Sequence, residues 1–349
     1  MQELDQYLPT RINQGSFVTS YSWPVLAERV AATTVVLPIC SLGTPASRLA
    51  GLADVVLPPL YHEALTDNLK LQLVDRIRHC FPFYQGTRER AEWTGELEVI
   101  ELSDPQQAAE QQGGIACFSV DTAVEEHGPH LPLATDTIQS YGVLQRLAER
   151  HAGLHPVAPL EYGQLTWGLP FGLSVDITAP LLTEYVCNFA RAISQWTACD
   201  ALYVVDVHGS IVHRTAIVDG LKQHGSVPFR FRWLHDSLVE FAGDRGDQHA
   251  GGVETVLVEL INDQLLDERF WPDRMDELAA GQMDMQRAID LSGNLADFIA
   301  AVEQSQSTPL PLNGIVGDIH NARQLDATAM MERMLAVAES DLDELTVDH

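Results

Sequence analysis

Five short runs rich in β-branched and apolar residues set the architecture this chain can adopt. They are TTVVLPI (33–39), ADVVLPPL (53–60), IACFSVD (115–121), HPVAPLEYG (155–163) and ALYVVDVHG (201–209). Amphipathic stretches accompany them at 137–152, 183–200 and 253–266. Strands alternating with helices of this length predict an α/β fold with a mostly parallel central sheet. Runs that are apolar without alternation fit strands covered on both faces. Residues 84–114 are polar and read as a connector or surface subelement. Residues 294–313 read as a helix and then a loop, and 327–345 as a helix.

Charge narrows the partners. The 349 residues carry 21 basic and 49 acidic side chains, a net charge of −28. A field of that sign repels phosphates, so no nucleic acid and no anionic membrane surface is expected as a partner. The start, MQELDQYLPTRINQGS, lacks the basic-then-apolar pattern of a secretory signal. Apolar stretches such as AATTVVLPIC are far too short to span a bilayer. Cys40, Cys80, Cys117, Cys187 and Cys199 are scattered, with no Cys-x-x-Cys pair. They read as buried thiols in a reducing compartment, which makes a cytoplasmic location the expectation.

The chemistry concentrates in VEEHGPHLPLATD (124–136). Glu125 and His127 are two apart, so in an extended chain they project to the same side. Gly128 lets the backbone bend, while Pro129 and Pro132 stiffen it. Asp136 precedes a helical pattern, where an acid alone would read as an N-cap. The segment lies past the carboxyl end of a strand, the place where open α/β sheets put ligand sites. His208 follows the end of another strand; on that feature alone it is equally well a loop histidine. In HAGGVETVLVEL (249–260), Glu254 falls in the first turn of an apolar helix. An acid there complements the helix dipole and can also bind a metal.

These segments together resemble the creatininase family of metal-dependent amidohydrolases. EEHGPHLPLATDT is similar to its Glu-x-His-Gly-x-His-Leu-Pro-x-x-x-Asp-Thr signature. VVDVHGS is similar to its Asn-Gly-His-Gly-Gly-Asn loop, HAGGVET to its His-Ala-Gly-x-x-Glu-Thr segment, and NGIVGDIHNA (313–322) to a stretch near the end of its members. The four segments occur in family order. The resemblance implies a layered α/β/α fold, a homo-oligomer, and two divalent ions, Zn, Mn or Fe, as cofactors. Glu125 and His208 would hold one ion, His127 and Glu254 the other, and Asp136 would bridge them. A hydroxide shared by the ions would attack a cyclic or linear amide. His249 would be catalytic, passing a proton to the leaving nitrogen. His130 would orient a ligand, and Glu126 would be a solvated neighbour. The substrate would be a small molecule or a modified peptide. Two other functions fit the same residues: a non-catalytic scaffold subunit, and a metal-dependent isomerase or hydrolase of a non-amide small molecule.

The chain also departs from the pattern. The loop DVHGSI (206–211) has Asp206 and Ile211 in place of the asparagines, and Ser210 where some members place a carboxylate. This makes Glu254 the better candidate ligand and leaves Ser210 beside the site. YGQLTWGLPFGLSVDIT (162–178) lacks the family's histidine; Trp167 either lines a pocket or packs in the core. Residues 1–96 precede the catalytic region, taken as 97–349. They read either as a degenerate partial repeat of the catalytic fold or as an unrelated α/β extension. Occupying a surface that otherwise meets a neighbour, they would limit the assembly to a dimer or trimer.

Overall fold

A computed structural model of the chain describes residues 17–30, 34–81, 96–102, 113–171, 173–242, 249–291 and 293–347. Much of the polar stretch 84–114 and the first part of 1–96 lie outside the described residues.

Among the described residues, two four-stranded sheets organise the chain, and every pairing within them is parallel. The first is built on β1 (Val35–Cys40). On one edge it meets β2 (Val55–Val56) and then β3 (Leu60–Tyr61); on the other it meets β4 (Leu97–Glu101). The second sheet has the order β6-β5-β7-β8, with β5 at Ile115–Ser119, β6 at Leu154–Pro156, β7 at Ala201–Asp206 and β8 at Phe229–Trp233. The parallel α/β expectation therefore describes both sheets. β4 pairs with β1, so residues 97–101 join the sheet of the N-terminal region across the 96/97 boundary drawn from sequence.

The prolines explain why two of the runs are broken. Val36 pairs with Val56, yet Cys40 pairs with Tyr61, so one extra residue is absorbed around Pro58 and Pro59. Proline cannot donate to a ladder and forces such interruptions. The second sheet shows the same slip. Cys117 pairs with Pro156, whereas Val120 meets Leu160 in a bridge just past Pro159.

Among the described residues the α-helices of eight residues or more are, in chain order, α1 (Trp23–Val30), α2 (Asp67–Cys80), α3 (Thr135–Arg150), α4 (Ala179–Thr197), α5 (Ile211–His224), α6 (Gly252–Asn262), α7 (Leu295–Ser305) and α8 (Ala327–Val347), of which α2 to α5 connect successive strands. β5 and β7 divide their side chains between two cores, as the period-two alternation of a strand requires. Phe118, Leu202 and Val204 face a core shared with Tyr185 and Phe189 of α4, Leu73 and Ile77 of α2, and Leu37 and Ile39 of β1. Cys117, Tyr203 and Val205 face the other core, with Ile138 and Leu144 of α3, Leu257 of α6 and Met334 and Leu335 of α8. The N-terminal region is thus packed into the same core as the second sheet. Burial of each such large side chain contributes about 1.5–3 kcal/mol. No described helix is long and apolar enough to cross a membrane.

Candidate metal centre

The loop after β5, the start of α3, the loop after β7 and the start of α6 converge at the carboxyl ends of the strands. They bring together Glu125, His127, Asp136, His208 and Glu254, all buried. Donor atoms of Glu125, His127 and Asp136 lie within 4.8 Å of one another, as do those of His127, His249 and Glu254.

Asp136 lies between the two imidazoles. Its Oδ1 is 3.2 Å from His127 Nε2, and its Oδ2 is 3.2 Å from His208 Nδ1. It sits in the first turn of α3, while the N-cap position is Ala134, so it is not the capping residue. The far nitrogen of each ring is held by a carbonyl. His127 Nδ1 donates to Glu125 O at 3.1 Å, and His208 Nε2 donates to Gln164 O at 3.1 Å. A carbonyl only accepts, so these contacts fix the tautomers and leave the inner nitrogens free for a cation. Glu125 Oε2 is 3.1 Å from His208 Nδ1, and Glu254 Oε2 is 3.9 Å from His127 Nε2. Ala250 N donates to Glu254 Oε2 at 2.5 Å, aimed by a left-handed Ala250 with φ of 54°.

Electrostatics asks for a cation here. Burial works against the charge of Asp136, yet the facing His127 and His208 hold its carboxyl well below the usual range. Burial likewise opposes the His127 cation, but Asp136, Glu254 and Glu125 together outweigh it and raise the imidazole to about 10. His208 is driven well above its usual value, against burial, by Glu125 and Asp136. Burial lifts Glu254 to about 7. Three carboxylates packed around two imidazoles draw protons onto the rings, the positions that divalent ions take when metal binding releases protons. The mixed imidazole and carboxylate set suits Zn²⁺, Mn²⁺ or Fe²⁺.

His249 stacks on His127 with ring centroids 4.3 Å apart. Its Nε2 donates to Glu126 O at 2.5 Å, and its Nδ1 lies 3.8 Å from Glu125 Oε1. Burial, with the charge of His127, pushes its pKa down to about 4. His130 Nε2 meets Thr255 Oγ1 at 2.8 Å, which ties the signature loop to the helix turn carrying Glu254. Ser210 caps α5: its Oγ accepts from His213 N at 3.2 Å and donates to Gln164 Oε1 at 2.7 Å. Trp167 is half-buried, edge-on to Phe298 at 4.9 Å, and the adjoining Gly168 backbone borders Glu125. Trp167 itself packs against the small cluster of Phe171, Met283 and Val302.

Glu126 differs from expectation. It is 1% exposed rather than solvated. The segment 313–317 covers it, tied down by paired backbone bonds between His249 and Val316 at 3.0 and 2.8 Å. Its carboxyl packs on Gly314 and leaves no room there for a side chain, and the φ of 94° independently favours glycine. Burial pushes Glu126 up to about 8. A cavity of about 450 Å³ is lined by Glu126 and Pro129 of this loop with Trp23, Phe171 and Phe270, and by none of the five clustered ligand candidates.

Sequence reasoning missed several supports. Thr122 Oγ1 is a hydrogen-bond donor to Glu125 Oε2 and lies 2.6 Å from Asp136 Oδ2. Asp206 Oδ1 accepts from His208 N at 2.8 Å, and Asp121 Oδ1 accepts from Val207 N at 3.3 Å, so both pin the histidine loop. Gln164 contacts His208, Ser210 and His213 at once. The one available signal was position: Asp121, Thr122 and Asp206 all lie at strand ends beside ligand candidates.

The chain is similar to known proteins in sequence and in fold. Two mycofactocin precursor peptide peptidases align with the chain. That of Mycobacterium ulcerans (strain Agy99) is 26% identical over 223 residues, 61% of this chain and 78% of the relative. That of Mycolicibacterium smegmatis (strain ATCC 700084 / mc(2)155) is 25% identical over 224 residues, with the same coverage. Among solved structures, a creatininase mutant complexed with creatine covers 66% of this chain and 91% of its own, at 15% identity and a TM-score of 0.49. A manganese creatininase covers the same shares at 15% identity and a TM-score of 0.47. The family model described as "Creatininase: Creatinine amidohydrolase" matches residues 101–340, a span that holds every residue of the buried cluster, and the chain belongs to the creatininase family.

Proposed function

We propose that this protein is a dinuclear metal-dependent amidohydrolase. One observation carries the reading: each oxygen of Asp136 faces the free nitrogen of a different imidazole, each ring locked from behind by a carbonyl. That is the disposition of a carboxylate shared by two ions. Glu125 and His208 would hold one, and His127 and Glu254 the other. Divalent ions held by these residues would acidify a bound water and polarise an amide carbonyl.

The remaining chemistry falls to the chain. Neutral His249, with Nε2 committed to Glu126 O, offers Nδ1 beside Glu125. That nitrogen takes the proton the attacking water gives up and returns it to the leaving nitrogen. Thr122 orients Glu125 and Asp136, while Gln164 orients His208. The loop with Ser210 and the half-buried Trp167 would border the substrate. Incubating metal-loaded protein with cyclic amides, linear amides and short peptides should release a carboxylate and an amine from at least one class. The peptide relatives justify including modified peptides. Rearrangement without hydrolysis would favour the isomerase reading instead.

All five cysteines are buried free thiols, which supports a reducing, cytoplasmic setting. The N-terminal region shares the core of the second sheet and takes up surface there. We therefore expect a dimer or trimer by light scattering coupled to size exclusion; a mass near six chains would contradict this.

A further inference from the structure

The region ahead of the family match reaches His208 through a single peptide group. Gln164 and Leu165 share that peptide. Its C=O accepts from His208 Nε2 at 3.1 Å, and its N–H donates to Asp176 Oδ1 at 3.0 Å. Asp176 is 2% exposed, and its other oxygen accepts from Arg76 Nη2 at 2.7 Å. Arg76 Nε donates to the Asp176 backbone carbonyl at 2.6 Å. One guanidinium thus grips both the side chain and the backbone of the residue that holds the peptide. Arg76 lies on α2, outside the matched residues 101–340.

We propose that Arg76 is a positioning residue for the metal centre, acting through Asp176 and the 164–165 peptide to set the ring of His208. The proposal rests on the reading of His208 as a ligand. A carboxylate accepting from the peptide N–H polarises that peptide and strengthens its C=O as an acceptor. A stronger acceptor on Nε2 fixes the tautomer and makes Nδ1 a better donor to a cation. Without Arg76 the buried Asp176 would lose its counter-charge. Left unpaired, its carboxylate would turn toward solvent and loosen its hold on Leu165 N. The anchoring of α2 does not depend on this pair alone, because Leu69, Leu73 and Ile77 bury themselves in the shared core. The N-terminal region is on this account part of the site's support.

The test is a Co²⁺ titration of the chelator-stripped full chain, followed by visible absorption. The proteins are the wild type, Arg76→Ala, Arg76→Lys and Asp176→Asn. The asparagine keeps an acceptor for Leu165 N but removes the charge. Lysine keeps the charge but lacks the two-pronged geometry. The wild type should bind two Co²⁺. Arg76→Ala and Asp176→Asn should weaken one of the two by about 10–100-fold and alter its spectrum, with Arg76→Lys in between. Wild-type affinity and spectrum in Arg76→Ala would overturn the proposal. Should Arg76→Ala fail to fold, Asp176→Asn decides in the same way. A wild type that binds no Co²⁺ removes the ligand reading itself, and the proposal with it. The wild-type arm alone separates that outcome from the others.

Discussion

Asp136→Ala should empty both ion positions and abolish turnover. Asp136 sets a separate oxygen 3.2 Å from each of the two inner imidazole nitrogens. Without it, His127 and His208 lose their shared partner, and Glu125 and Glu254 are left as one carboxylate on each side. The fold should survive. The residue is not the N-cap of α3, and an acid in a first helical turn is worth only about 0.3–1 kcal/mol. Removal of metal assistance worth several kcal/mol corresponds to a rate loss on the order of 10³ or more. Elemental analysis and initial rates on the same preparation check both parts. Retained metal with retained rate would show that Asp136 does not bridge.

His249→Ala should keep its metal and lose speed, by about 10²–10⁴ in kcat. The geometry allows a competing role, since a donor atom of His249 falls within 4.8 Å of those of His127 and Glu254. A ligand and a proton carrier differ in what their removal takes away. The carrier leaves the ions in place and slows the step that needs its proton; the ligand takes an ion with it. Metal content measured beside kcat separates them, and loss of an ion would move His249 into the ligand set.

The residues readable in sequence were those whose roles are local. β1, β5 and β7 are continuous apolar runs, buried throughout or nearly so, and each appears where its pattern placed it. β8 was not read, because FRFRW mixes arginines into an edge strand. Arg230 and Arg232 are accommodated by Asp341 of α8, a partner far away in sequence. β4 was lost in a polar stretch for a similar reason: its partner is β1. The same one-residue slip occurs beside β1 and beside β5, a likeness of register that composition does not carry.

The site divides along the same line. The spacing of Glu125 and His127, and the position of His208 past a strand end, are properties of single segments. The burial of Glu126 is set by residues 313–317. The work of Gln164 joins the loop after β6 to the loop after β7 and to the first turn of α5. Contacts of that kind become visible only once the chain is folded.

The central claim is a paired metal site, and metal content tests it most directly. Protein purified without added metal or chelator should carry close to two divalent ions per chain, drawn from zinc, manganese and iron, by elemental analysis. A folded, active protein that carries no divalent ion would contradict the account.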